Sequence, residues 1–330
     1  MEYKNNLIKE LLNNIKNYNF EEFFNKLIKI TDLNLLNNIK KNIDIVKYSS
    51  YFNKYDMIYL VFEYYHKDTK KLINHFNNTS KNESKKIHIL SDIDDTIFTS
   101  FLGGLDKSYT NNKFYPEIKD IFKILHKKTN YVTFLSARPE YFVSDDIINL
   151  KYNVLSGSVT TIVDGIKSII NKNIFNSYDL KSYSHIYNNK LDSYKKYKLI
   201  YPEYKFIFFG DLGQADILLA DDILKDPEQI VVLKDVYMNN NIWISKYLKK
   251  YIDKLKLKYN YRIFFVKTYS EFILKLYGRF KSNQLNPELF DNLLNENICY
   301  NLLKKFKSNI KKMDDSIYKN EVESLLNINF

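Results

Sequence analysis

Apolar and polar positions divide the chain into zones of different period. Over residues 1–76 apolar side chains recur at helical spacing, as in Leu7, Leu11, Leu12 and Ile15, then Phe20, Phe23, Phe24 and Leu27. Thr31-Asp32 and Asp44 supply helix-start chemistry, so this zone is expected to be a small domain of three or four helices. Residues 77–86, NNTSKNESKK, are polar and have no period, and read as a linker. From Ile87 onward short apolar runs alternate with longer amphipathic stretches. The runs are Ile87–Leu90, Tyr131–Leu135, Phe206–Phe209, Ile230–Leu233 and Ile263–Val266. Between them lie the helix-like segments Glu117–His126, Leu191–Ile200 and Ala215–Leu224. Strands alternating with helices predict an α/β domain over residues 87–280: a three-layer sandwich around a mainly parallel, Rossmann-like sheet. The stretch KSNQLNP interrupts the pattern, and residues 281–330 read as a helical tail.

Composition narrows the picture. At about 150 residues per domain, 330 residues hold roughly two domains. With 23 Phe and 29 Tyr the chain has far too much apolar surface to stay disordered. Seven Gly and five Pro exclude collagen-like and turn-dense designs. One cysteine, Cys299, excludes a disulfide framework and any cysteine-built zinc or iron–sulfur centre. No apolar run reaches the roughly 20 residues needed to span a bilayer, and the start, MEYKNNLIKE, is unlike a signal peptide. A soluble, cytoplasmic protein is expected. The formal charge of +11 suits anionic partners: a phosphorylated small molecule, an anionic membrane surface or nucleic acid. Lys, Asn, Ile, Tyr and Phe all have AT-rich codons, which explains the same excess without a partner.

In a parallel sheet ligands bind beyond the carboxyl ends of the strands, so the strand ends carry the interest. Ile87–Leu90 is followed by Ser91-Asp92-Ile93-Asp94-Asp95-Thr96. Tyr131–Leu135 is followed by Ser136-Ala137-Arg138-Pro139, and Phe206–Phe209 by Gly210-Asp211-Leu212-Gly213-Gln214-Ala215-Asp216. Asp-x-Asp-x-Thr alone could be a helix cap. At the end of a buried strand, with carboxylates at a second strand end, it reads as a catalytic constellation.

Together these loops resemble the motifs of the haloacid dehalogenase superfamily of phosphatases. The first is Asp92-Ile93-Asp94-Asp95-Thr96, the second Ser136, the third a lysine placed at Lys190, and the fourth Gly210-Asp211 with Asp216. Residues 87 to about 237 are most similar to the catalytic domain of the actin-patch phosphatidate phosphatases, and more distantly to lipins. The stretch that carries this likeness is Lys190-Leu191-Asp192, then Tyr201-Pro202, then the strand ending in Gly210-Asp211. Leu212 stands where that group usually has Ser, and Ile217-Leu218 where it has Pro-Glu.

The resemblance implies an Mg2+-dependent phosphomonoester hydrolase, with Asp92 the nucleophile that forms an aspartyl-phosphate. Asp94 would be the acid/base, and Ser136 and Lys190 would stabilise the transferred group. Asp92, the backbone carbonyl of Asp94 and Asp211 would form a partial shell for the metal, with Asp216 holding a metal-bound water. Thr96 and Arg138 would contact substrate. Each has a plainer reading: Ser136 as a helix cap, Arg138 in a salt bridge, Lys190 as one solvated lysine beside Lys195, Lys196 and Lys198. Gly103-Gly104 would hinge a mobile flap, or simply form a turn. Residues 242–259 carry the apolar stripe Ile244, Leu248, Ile252 and Leu255 among lysines. That pattern fits a helix covering the sheet, the simpler reading, or one lying on a membrane. A non-catalytic phosphatidate-binding module and an enzyme acting on nucleic-acid ends or small phosphorylated metabolites are the alternative functions.

Overall fold

The computed structural model describes residues 2–45, 49–50, 53–65, 68–99, 106, 108–109, 113–136, 150–155, 184–213, 215–236, 246–313 and 316–329. The chain forms two units, one of residues 1–85 with 192–204, the other of residues 86–191 with 205–330.

In the first unit, helices α1 (Glu2–Lys16), α2 (Phe20–Leu27), α3 (Leu33–Ile45) and α4 (Thr69–Ser80) bury most of the apolar positions that their spacing marks out, Leu7 and Leu12 being only partly buried. Leu11, Ile15, Phe23, Phe24, Leu36, Ile39 and Phe76 are all inaccessible to solvent. Asp32 starts α3 as expected, its carboxylate accepting the Leu35 N–H at 3.0 Å. Asp44 does not start a helix. It sits in the last turn of α3, where its carboxylate accepts the Met57 N–H at 2.9 Å and the Tyr201 hydroxyl. The unit also extends beyond residue 76 and recruits Asp192–Tyr204. The physical reason is Lys40, fully buried on α3, whose ammonium donates to the Ile200 carbonyl and the Glu203 carboxylate, each at 2.8 Å. The expected linker is shorter than residues 77–86, because Asn77–Ser80 complete α4 and Lys86 opens the first strand.

The second unit is built on six parallel strands: β1 (Lys86–Ser91), β2 (Val132–Leu135), β3 (Tyr152–Leu155), β4 (Tyr204–Asp211), β5 (Ile230–Lys234) and β6 (Ile263–Val266). Their order across the sheet is β3-β2-β1-β4-β5-β6, that of a doubly wound dinucleotide-type sheet. The strands read as unbroken apolar runs because helices cover both faces of such a sheet. Five coincide with the expected runs. The sixth, β3, was not marked by the pattern.

Helices α5 (Ile118–Leu125), α6 (Ser184–Ile200), α7 (Asp216–Ile223), α8 (Lys246–Tyr259), α9 (Tyr269–Lys281), α10 (Glu296–Asn309) and α11 (Ile317–Asn329) complete the chain, the last turns of α6 belonging to the first unit. The C-terminal segment is no appendage. Phe290, Leu303, Phe306, Tyr318, Val322 and Leu326 share one core with Ile89, Phe209 and Val232 of the sheet. In α8, Leu248, Ile252 and Leu255 are buried, while Lys249, Lys250, Lys254, Lys256 and Lys258 are exposed. The helix lies against β6, while Ile244 and the rest of residues 242–245 lie outside the described residues. Among the described residues no helix is long and apolar enough to cross a membrane.

Candidate functional site

The strand order reverses between β1 and β4, and the carboxyl ends of these two strands define the crevice where doubly wound sheets bind ligands. Asp92 follows β1 directly, its N–H donating to the Phe209 carbonyl of β4 at 2.8 Å. Asp211 is the last residue of β4, and Asp216 the first of α7. All three are buried, and each offers a carboxylate oxygen within 4.8 Å of the others. Lys190, on α6, joins them. Its ammonium lies 2.6 Å from Asp216 Oδ1 and 3.0 Å from Asp92 Oδ1, with only 2% of its side chain exposed. The competing Lys196 instead pairs with Asp192 and Glu63 on a partly exposed helix face.

Backbone geometry fixes the carboxylates. The Asp211 N–H donates to Asp216 Oδ2 at 3.3 Å, and the Gly213 N–H donates to Asp211 Oδ1. Gly210 makes this possible, since a Cβ there would lie 2.6 Å from Asp216 Oδ2 and 2.9 Å from Phe208 Cε1. After Asp92 the chain turns tightly, with the Ile97 N–H returning to the Ile93 carbonyl at 3.0 Å. Asp95 takes a left-handed conformation in that turn, with φ at 55°. Asp is among the few residues that tolerate it, and such strain concentrates at functional loops.

The electrostatics leave the cluster short of positive charge. Burial, then the Asp216, Asp92 and Asp95 carboxylates, push the Asp211 carboxyl well above its usual range, against the pull of Lys190. Burial likewise raises Asp216 to about 6, against the pull of Lys190. Burial pulls the Lys190 ammonium down, but Asp216 and Asp92 outweigh it and hold the ammonium charged. Three carboxylates thus face one cation in a site of low dielectric. Among the described residues Asp211 Oδ2 has no hydrogen-bond partner although it is buried. Hard oxygen donors, excess negative charge and an orphaned carboxylate oxygen suit a divalent cation such as Mg2+.

The other expected residues divide. Ser136 is buried and follows β2, its N–H held by the Leu155 carbonyl at 3.1 Å. Because Ser91 pairs with Phe134, Ser136 and Asp92 leave the sheet close to the same level on neighbouring strands. Thr96 is buried, with its carbonyl accepting the Tyr269 hydroxyl and its own Oγ1 lacking a partner among the described residues. Asp94 is half-buried in the turn, and its carboxylate is not one of the three that cluster. Arg138 and Gly103-Gly104 lie outside the described residues. His88 is buried inside β1, with its ring nitrogens 3.1 Å from Thr129 Oγ1 and 2.8 Å from Thr133 Oγ1.

Sequence reasoning missed Gly210 as a spacer, although it stands in the quoted motif. No family model, curated protein or solved structure matches the chain.

Proposed function

We propose that the chain is an Mg2+-dependent phosphomonoester hydrolase of the haloacid dehalogenase type. The observation that carries this reading is the convergence of Asp92, Asp211, Asp216 and Lys190 at the strand-order reversal, with one carboxylate oxygen left open. Mg2+ held by Asp92, Asp211 and Asp216 would supply charge neutralisation that lets an anionic nucleophile meet an anionic phosphate. Every other role falls to the chain. A carboxylate oxygen of Asp92 attacks phosphorus, the bond to the leaving oxygen breaks, and Asp94 donates the proton which that oxygen needs. Asp94, now a base, takes a proton from the water that attacks the aspartyl-phosphate, releasing phosphate and restoring Asp92. Lys190 is already beside Asp92 and stabilises the charge that spreads over the phosphoryl oxygens in transfer. Ser136 and Thr96 are the candidate hydroxyl donors to those oxygens, and Arg138 is a candidate substrate contact.

Phosphatidate is one substrate that the motif likeness suggests, beside small phosphorylated metabolites. The test is phosphate release from an aryl phosphate, phosphatidate vesicles, sugar phosphates and phosphorylated oligonucleotides, with and without Mg2+. Mg2+-dependent turnover that disappears in Asp92→Asn is expected. Substantial turnover in an Asp92→Asn variant that folds normally would overturn the covalent mechanism. Binding of phosphatidate without turnover of any substrate would favour the non-catalytic module.

A further inference from the structure

Lys234 ends β5 as the register partner of Asp211 on β4. Register partners of a parallel pair present their side chains on one face of the sheet. A lysine there has a buried carboxylate with an open oxygen as its neighbour, yet its ammonium goes elsewhere. It pairs with Asp106, from the segment between β1 and α5, and both side chains are fully buried. Asp106 is itself held in place. The Ser108 N–H donates to its Oδ1 at 2.7 Å, and the Tyr115 hydroxyl donates to its Oδ2. The Lys234 ammonium lies 4.2 Å from the centre of the Tyr115 ring and 5.6 Å from that of Tyr318. Tyr318 belongs to α11, and its N–H donates to the Ser108 carbonyl at 2.8 Å while its hydroxyl donates to Glu117 at 2.8 Å. A carboxylate, two aromatic faces and the C-terminal helix thus enclose one ammonium.

We propose that Asp106 is a positioning residue for the cation site: it sequesters the Lys234 ammonium and so leaves Asp211 open to a divalent cation. This rests on the reading of Asp211 as a metal ligand given above. The reasoning is competitive. In a buried setting an ammonium without its own anion takes the nearest available carboxylate, because leaving either charge unpaired is costly. Asp211 is the register neighbour, and its Oδ2 is unpartnered among the described residues. Were Lys234 to turn to it, a monovalent side chain would occupy the place of the metal.

The test is calorimetric titration of Mg2+ into the full-length chain, together with the rise in melting temperature that saturating Mg2+ produces. Four proteins are compared: the parent, Asp106→Asn, Asp106→Asn/Lys234→Met and Asp211→Asn. Asp106→Asn should weaken Mg2+ binding about 10–100-fold, the range typical of losing an outer partner of a metal site. The double variant, which removes the competing ammonium as well, should return to near the parental affinity. A structural role alone would lower the melting temperature without shifting Mg2+ affinity. Parental affinity in Asp106→Asn, or a double variant as weak as the single, would overturn the proposal. If the single variant fails to fold, the double variant decides, since a buried pair replaced on both sides is often tolerated. A parent that binds no Mg2+, or an Asp211→Asn variant that binds it as well as the parent, would instead overturn the metal-ligand reading and this proposal with it.

Discussion

Gly210 is a position where the site has no room for a side chain. A methyl group there would meet Asp216 Oδ2 at 2.6 Å, closer than real Cβ atoms approach an oxygen, so Asp216 would have to turn. Turning would loosen both the Asp211 N–H bond and the Lys190 pair. Gly210→Ala should therefore cost about 1–3 kcal/mol in urea unfolding, as overpacking usually does, and raise the Mg2+ concentration needed for half activity. An unchanged Mg2+ requirement would show that Asp216 does not depend on that close approach. Asp94 poses a different question at the same scale, because it follows Asp92 by two residues but its carboxylate is not one of the three that cluster. In the proposed mechanism it is the proton carrier. Asp94→Asn should lower kcat by about 10²–10⁴-fold, the usual worth of acid/base assistance. With a reactive aryl phosphate, whose leaving group needs little protonation, the phosphoenzyme should still form and accumulate as a burst. A uniform loss with no burst in rapid-mixing kinetics would mean that Asp94 is not the proton carrier.

At the scale of elements, legibility followed burial. Five strands were readable because parallel strands covered on both faces are continuous apolar runs. Tyr152–Leu155 escaped because Asn153, buried in its middle, breaks the run and leaves too few apolar residues to signal a strand. Asp92, Asp211 and Asp216 were legible because each lies at or just beyond the end of such a run. Lys190 needed the motif likeness to be chosen from four lysines on one helix, since a lysine buried by ion pairing looks like any other in sequence. The Asp106–Lys234 pair was illegible for another reason, its partners being 128 residues apart with no motif joining them. Lys40 repeats the lesson in the first unit. It falls on the buried face of α3 beside Leu36, Ile39 and Ile43, where periodicity alone would ask for an apolar residue. Lys40→Met strands the buried Glu203 carboxylate and should cost about 3–5 kcal/mol in chemical denaturation. Lys40→Met/Glu203→Leu should recover most of that loss, because it removes both charges of the buried pair and leaves neither partner stranded. A double variant as unstable as the single would show that the Ile200 carbonyl, left without its donor, matters more than the ion pair.

At the scale of the whole molecule, the chain divides into two units, and the C-terminal helices belong to the one that holds the candidate site. A single thiol tests that membership. Cys299, the one cysteine of the chain, is buried on α10 in the same core as the sheet residues Ile89 and Phe209. Burial pushes its thiol up to about 12, so at pH 8 it stays protonated, and the thiolate that reacts with disulfide reagents is scarce. Labelling therefore requires opening of the core around α10. If α9, α10 and α11 fold with the sheet, labelling should be slow in native buffer. It should accelerate across the urea transition in which the proposed Mg2+-dependent activity is lost. The first unit has its own core and need not melt with the second, so circular dichroism of the full chain is expected to resolve two steps, with Cys299 following the one that carries activity. Labelling well before activity is lost would mean that the C-terminal helices open independently of the sheet. In that case Tyr318 could not hold the Asp106–Lys234 enclosure in place, and the site would have to be organised by the sheet and α5 alone.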